Sequence, residues 1–80
     1  MKRYFVTDDV NLVDGPFDED DVRECADADE AAENYANWNY GEEDMPVEVF
    51  VVDVSRPGHY DLIEVDVVDG LWSTSLLESA

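Results

Sequence analysis

Bases are almost missing from this chain. Lys2, Arg3, Arg23 and Arg56 are the only four, against 22 acids, and the formal net charge is −18. A chain so poor in Lys and Arg has no direct grip on nucleic acid, which takes clustered cations on the phosphates. Anionic membrane surfaces are excluded for the same reason. Cysteine is scarcer still: Cys25 stands alone. No internal disulfide can form, which suits a reducing cytoplasm. No apolar run approaches the roughly 20 residues of a membrane span. The opening Met1 to Asp8 also lacks the apolar core of a secretory signal. The expected location is the cytoplasm.

The chemistry of catalysis is equally thin. His59 is the single histidine, and it sits in a Pro-Gly turn. Cys25 has carboxylates on both sides, which oppose thiolate formation, so it reads as a small core residue. Ser73 and Ser75 lack the glycines of a nucleophile elbow, and no Gly-rich phosphate loop is present. Asp27 and Asp29 begin the alternation of a calcium loop, but Ala32 stands where that loop needs glycine. The expectation is a protein that is not an enzyme, with no metal and no cofactor.

What the chain does have is acid, and most of it in one stretch. Asp14 to Asp44 holds Asp14, Asp18, Glu19, Asp20, Asp21, Glu24, Asp27, Asp29, Glu30, Glu33, Glu42, Glu43 and Asp44 against Arg23 alone. Met1 to Val13 reads as neutral, because Lys2 and Arg3 match Asp8 and Asp9. The hydrophobic content is 45% with nine aromatics. Disorder requires low hydrophobicity as well as high charge, so a single folded domain over residues 1–80 is expected.

Local patterns then divide the chain. Met1 to Thr7 reads as a strand, with Tyr4, Phe5 and Val6 suited to a pleated surface. Asp14-Gly15-Pro16 marks a turn. Asp18 before three acids predicts a short helical turn over Glu19 to Cys25. Asp27 as N-cap, with Glu30 three residues on, predicts the main helix over Ala28 to Tyr40. Ala28, Ala31, Ala32, Tyr35 and Trp38 form its apolar stripe, and Gly41 its C-cap. Val47 to Val54 is so apolar that it reads as the central strand. Ser55 to His59 is a type II turn. Tyr60 to Val68 and Leu71 to Leu76 form a hairpin on Asp69-Gly70, with Leu77 to Ala80 as a tail. The fold class is α+β. One helical segment packs on an antiparallel three- to four-stranded sheet, in the order β-α-β-β-β. The sequence leaves the place of the first strand in that sheet open.

A net charge magnitude of roughly 2 to 8 keeps a small domain soluble, and −18 far exceeds it. One explanation is imitation of DNA. B-DNA carries one charge per about 1.7 Å of axis, so about 18 charges span about 30 Å of duplex. That is close to the diameter of a compact chain with a radius of gyration near 12 Å. The candidate partner-binding residues are Asp18, Glu19, Asp20, Asp21, Glu24, Asp27, Asp29, Glu30, Glu33, Glu42, Glu43 and Asp44. Asn34, Asn37, Asn39, Trp38 and Tyr40 add hydrogen bonds and aromatic anchors beside them. The partner is then a basic DNA-binding surface of a protein complex, met by a single copy of this chain. Two alternatives stand beside this one. Acidic, lysine-poor composition also suits a protein adapted to a high-salt cytoplasm. A small acidic interaction module, antitoxin-like or regulatory, has the same appearance.

In size, in charge, and in its acidic helix on a small sheet (Asp18 to Asp21, then Asp27 to Glu33), the chain resembles a known class. This class is the small acidic phage-encoded anti-CRISPR and anti-restriction inhibitors that imitate duplex DNA. Among them it is most similar to inhibitors of type I Cascade surveillance complexes, those of type I-C included. The resemblance covers the whole chain in composition, carries no diagnostic motif, and transfers no residue role by position. It implies a viral protein that evades antiviral defence, binding where Cascade receives target DNA and catalysing nothing.

Overall fold

Val51 and Val52 are both buried although they point to opposite faces of a sheet. Only a central strand covered on both sides allows that. The computed structural model describes all of residues 1–80. Its regular elements are β1 (Lys2–Thr7), β2 (Val22–Cys25), α1 (Ala28–Asn39), β3 (Val47–Asp53), β4 (Asp61–Val68) and β5 (Leu71–Ser79). They form one helix and one five-stranded sheet in the order β2-β1-β3-β4-β5, with every neighbouring pair antiparallel. The α+β class and the central place of β3 agree with the sequence reading. β1 lies between β2 and β3.

One face of the sheet carries α1. Tyr4, Cys25, Val49, Val51, Ile63 and Val65 meet the buried methyl groups of Ala31, Ala32 and Ala36. Alanine brings the helix backbone close to the strands, so the layer is thin. The other face is only partly covered. Segment 8–21 folds over Phe5 and Val52, with Val13 buried and the Phe17 ring 4.9 Å from that of Phe5. Gly58 N–H donates to the Val13 carbonyl at 3.0 Å and ties this segment down.

Several expectations need correction. The sheet has five strands rather than three or four, and the element order is β-β-α-β-β-β. The extra strand is β2. Asp18 does cap a turn, accepting from Asp20 N–H at 3.1 Å, but that turn is 3₁₀ and ends at Asp21. Val22 to Cys25 then pairs with Phe5 to Lys2. β1 offers its backbone groups at that edge, and Val22 to Cys25 takes them up in a ladder that a second helical turn would leave unpaired. Cys25 therefore closes a strand instead of lying in a helix, and it is buried as expected. The helix ends at Asn39, because Tyr40 is already extended. Gly41 has φ −92° and so is no left-handed C-cap; its N–H instead donates to the Asp44 carboxylate at 3.0 Å. The expected tail is strand as far as Ser79, and Tyr60 and Ala80 exchange two backbone bonds of 2.8 Å. The Pro-Gly and Asp-Gly turn readings hold. Asp69 and Gly70 have φ of 54° and 77°, and Gly58 in the Pro-Gly turn has φ 85°. No helix is long and apolar enough to cross a membrane.

Candidate functional site

The 12 residues of α1 make a rod of about 18 Å, and its two ends differ in charge. At the N-terminal end Asp27 caps the helix, accepting from Glu30 N–H at 2.9 Å, with Asp29 and Glu30 in the first turn. The Glu30 carboxylate reaches back to Ala26 N–H at 3.3 Å. This end also gathers bases. Lys2, Asp53, Arg56, His59 and Asp61 line a shallow cleft there beside Ala28. Lys2 and Asp53 make the one ion pair of the molecule, at 3.9 Å. Acid is present, but it is partly answered.

At the C-terminal end of α1 the acids converge without an answer. Three chain segments meet there. Asp8 follows β1, and its carboxylate accepts from the Tyr40 hydroxyl at 3.2 Å. Asp21 ends the 3₁₀ turn before β2 and lines a cleft of about 480 Å³ with Asp8, Trp38 and Asn39. Asp44 belongs to the 3₁₀ turn Glu42–Asp44 just past the helix. The tyrosine hydroxyls record this convergence. Burial first, then the charges of Asp8 and Asp21, raises the Tyr35 pKa. Burial, the hydrogen bond to Asp8 and the charge of Asp8, followed by weaker effects of Tyr35 and Asp44, raise that of Tyr40. With their neighbours Asp9, Asp18, Glu19, Asp20, Glu42 and Glu43, these segments hold nine acids against Arg23, a net of −8. The last turn of α1 has no base, so the negative end of the helix dipole adds to the same field.

Arg23 does little to neutralise this end. Its guanidinium lies 5.5 Å from the Trp38 ring centroid and donates to the carbonyls of Asp20 and Val22. Trp38 itself is 64% exposed. It is thus outside the packed stripe, where Ala36 takes the buried place. Asn39 donates to the Tyr35 carbonyl at 2.9 Å, and the Asn34 amide lies 3.9 Å from Cys25 Sγ. Burial raises the Cys25 pKa above its ordinary value, which leaves the thiol inert.

The twelve acids named from sequence therefore divide. Asp18, Glu19, Asp20, Asp21, Glu42, Glu43 and Asp44 belong to the crowded end. Asp27, Asp29 and Glu30 lie at the other end of α1, Glu33 is half-buried on its flank, and Glu24 stands on β2 opposite Arg3. Asp8 and Asp9 join the site although sequence order set them aside as balanced by Lys2 and Arg3. Strand β1 separates the two pairs by about 20 Å, so their charges do not cancel. The available signal was that strand itself. The chain was compared with family models, with curated proteins and with solved structures, and none matches.

Proposed function

We propose that this chain is a non-enzymatic inhibitor that offers the charge of duplex DNA to a basic DNA-binding surface. The favoured target is a type I CRISPR Cascade complex in the cytoplasm of a bacterial host. One observation carries the reading: carboxylates from three chain segments converge at the C-terminal end of α1 with only Arg23 among them. A structural acid cluster is normally answered by cations, because repulsion opposes folding. An unanswered cluster on a rigid layer is instead complementary to a Lys/Arg groove, and it steers encounter with one. The dimensions support the same reading. The molecule extends 36 × 22 × 19 Å, and about 21 phosphate charges occupy 36 Å of duplex at the spacing of B-DNA.

The test compares two charge-matched variants. In the first, Glu19, Asp20, Glu42 and Glu43 become Lys. In the second, Asp29, Glu33, Asp69 and Glu78 become Lys. None of these side chains makes a hydrogen bond, and each change adds two charges, so both variants sit at −10. The readout is duplex binding by purified Cascade in a gel-shift assay. The first variant is expected to lose inhibition at least about tenfold, roughly 1.4 kcal/mol, while the second retains most of it. Equal loss in both would reduce the effect to bulk charge. No inhibition by the wild-type chain would remove Cascade as the target.

A second reading has its own observation. Glu48 lies directly opposite Glu64 on the sheet face away from α1, a like-charge pair that costs stability in dilute buffer. Screening by concentrated salt removes that cost, as a protein adapted to a high-salt cytoplasm requires. The salt dependence of folding separates the two readings.

A further inference from the structure

The two edges of the sheet are unlike. β2 is four residues long and carries Arg23 and Glu24, and such charge guards an edge against unwanted pairing. β5 runs nine residues. From Gly70 to Leu77 it has no charged side chain, in a chain where 22 of 80 residues are acids. Val68, Leu71, Leu76 and Leu77 are 56, 73, 59 and 48% exposed, half of the large apolar side chains left open to solvent.

The tight hairpin decides which backbone groups are free. Val68 and Leu71 flank a two-residue turn and form its bonded pair, and bonded and non-bonded pairs alternate from there. Trp72, Thr74 and Leu76 fall opposite Val67, Val65 and Ile63. These are the non-bonded pairs, so Trp72, Thr74 and Leu76 turn their N–H and C=O groups outward. The segment Leu71-Trp72-Ser73-Thr74-Ser75-Leu76-Leu77 also reads nearly the same in both directions about Thr74.

We propose that β5 pairs antiparallel with β5 of a second copy of this chain, on a twofold axis at Thr74. An isologous contact demands a self-complementary surface, and this register supplies one. Thr74 meets Thr74, Trp72 meets Leu76, Ser73 meets Ser75 and Leu71 meets Leu77. Each outward-facing pair exchanges two backbone hydrogen bonds. The bulge at Leu77, where the pairing with β4 steps from Ile63–Leu76 to Leu62–Glu78, ends the regular register, and Glu78 beyond it comes opposite the Gly70–Leu71 end of the partner strand, where no carboxylate stands. Two chains of charge −18 can lie side by side only along such an edge, whereas a basic partner finds no carboxylate there to bind. The product is a ten-stranded sheet with both helices on one face. Asp18 to Asp21, which precede β2 at the opposite edge, stay at its two far flanks.

Sedimentation equilibrium tests this with the full chain. In ~1 M NaCl, where the Debye length is about 3 Å, the expected mass is twice the 9.1 kDa of one chain. Lowering the salt should dissociate the dimer, because repulsion then reaches further; docking of a cationic partner would strengthen instead. Thr74→Pro removes an N–H that is outside the β4 ladder, as edge strands tolerate. It should give single chains with an unchanged circular dichroism spectrum. Thr74→Cys should form a disulfide-linked dimer under mild oxidation, since bonded antiparallel pairs hold Cα atoms about 5.5 Å apart, within disulfide reach. Wild-type chain is the background, because Cys25 is buried. A wild-type chain that stays single in ~1 M NaCl overturns the proposal. So does a Thr74→Pro dimer, or a Thr74→Cys chain that cross-links no faster than wild type.

Discussion

Asp53 has the best-defined surroundings of any acid in the chain. It accepts from the Ser55 hydroxyl at 2.7 Å and from Ser55 N–H at 3.0 Å, and Lys2 lies 3.9 Å away. The Ser55 bonds chiefly, with smaller help from Lys2 and Arg56, hold its carboxyl below the usual Asp value. A depressed folded-state pKa means that the unfolded chain binds protons first as pH falls. The stabilisation is therefore present above the ordinary Asp value of about 3.9 and lost as pH drops through the folded one. Asp53→Asn is expected to lower the melting temperature at neutral pH. The gap to wild type should close in strongly acid buffer, as thermal melts across that range will show. The site also turns on single residues that sequence order misplaces. Asp8 and Asp9 are near Lys2 and Arg3 in number and a strand's length away in space.

Elements carry the next set of consequences. α1 begins where Asp27 accepts from Glu30 N–H, so Asp27→Ala should cost about 1 kcal/mol, measurable by urea denaturation. Ala32 is fully buried against the strands, and Ala32→Leu should overpack the layer and cost about 1 to 3 kcal/mol. The helix itself was legible, because cap, first-turn acids and apolar spacing agree over three turns. Its exact face was less so. Ala36 and Trp38 lie on opposite borders of the stripe, each about 80° from Ala28 at 100° per residue. Periodicity weights the larger residue more, but Ala36 is the one buried, while the indole lies on the border beside short β2, under Arg23, and stays open to solvent. β2 was not legible, since four residues with Arg23 and Glu24 among them make no period-two signal. Its partner is also fixed by β1, some twenty positions earlier.

At the scale of the whole molecule the charge dominates. One ion pair serves 22 acids, so repulsion is relieved mainly by the solvent. Added salt should raise the melting temperature, with the steepest gain where the Debye length falls from about 30 Å at 0.01 M to about 10 Å at 0.1 M. A chain already folded at ~0.1 M salt fits the inhibitor reading. A chain unfolded there, with its spectrum restored only by molar salt, points to high-salt adaptation instead.

The sequence by itself determined the α+β class, a central strand that begins at Val47, the capped helix and the Pro-Gly and Asp-Gly turns. Each of these follows from interactions within a few residues or from plain hydrophobicity. It also determined the sign and size of the charge. Only the tertiary structure decided where that charge gathers. Antiparallel strands reverse the chain every few residues, so acids that are neighbours in number can face different ends of the sheet, while Asp8, Asp21 and Asp44 come together. The same folding left β5 as the open edge, because an edge is defined by the strand that does not pair there, and no single segment encodes that.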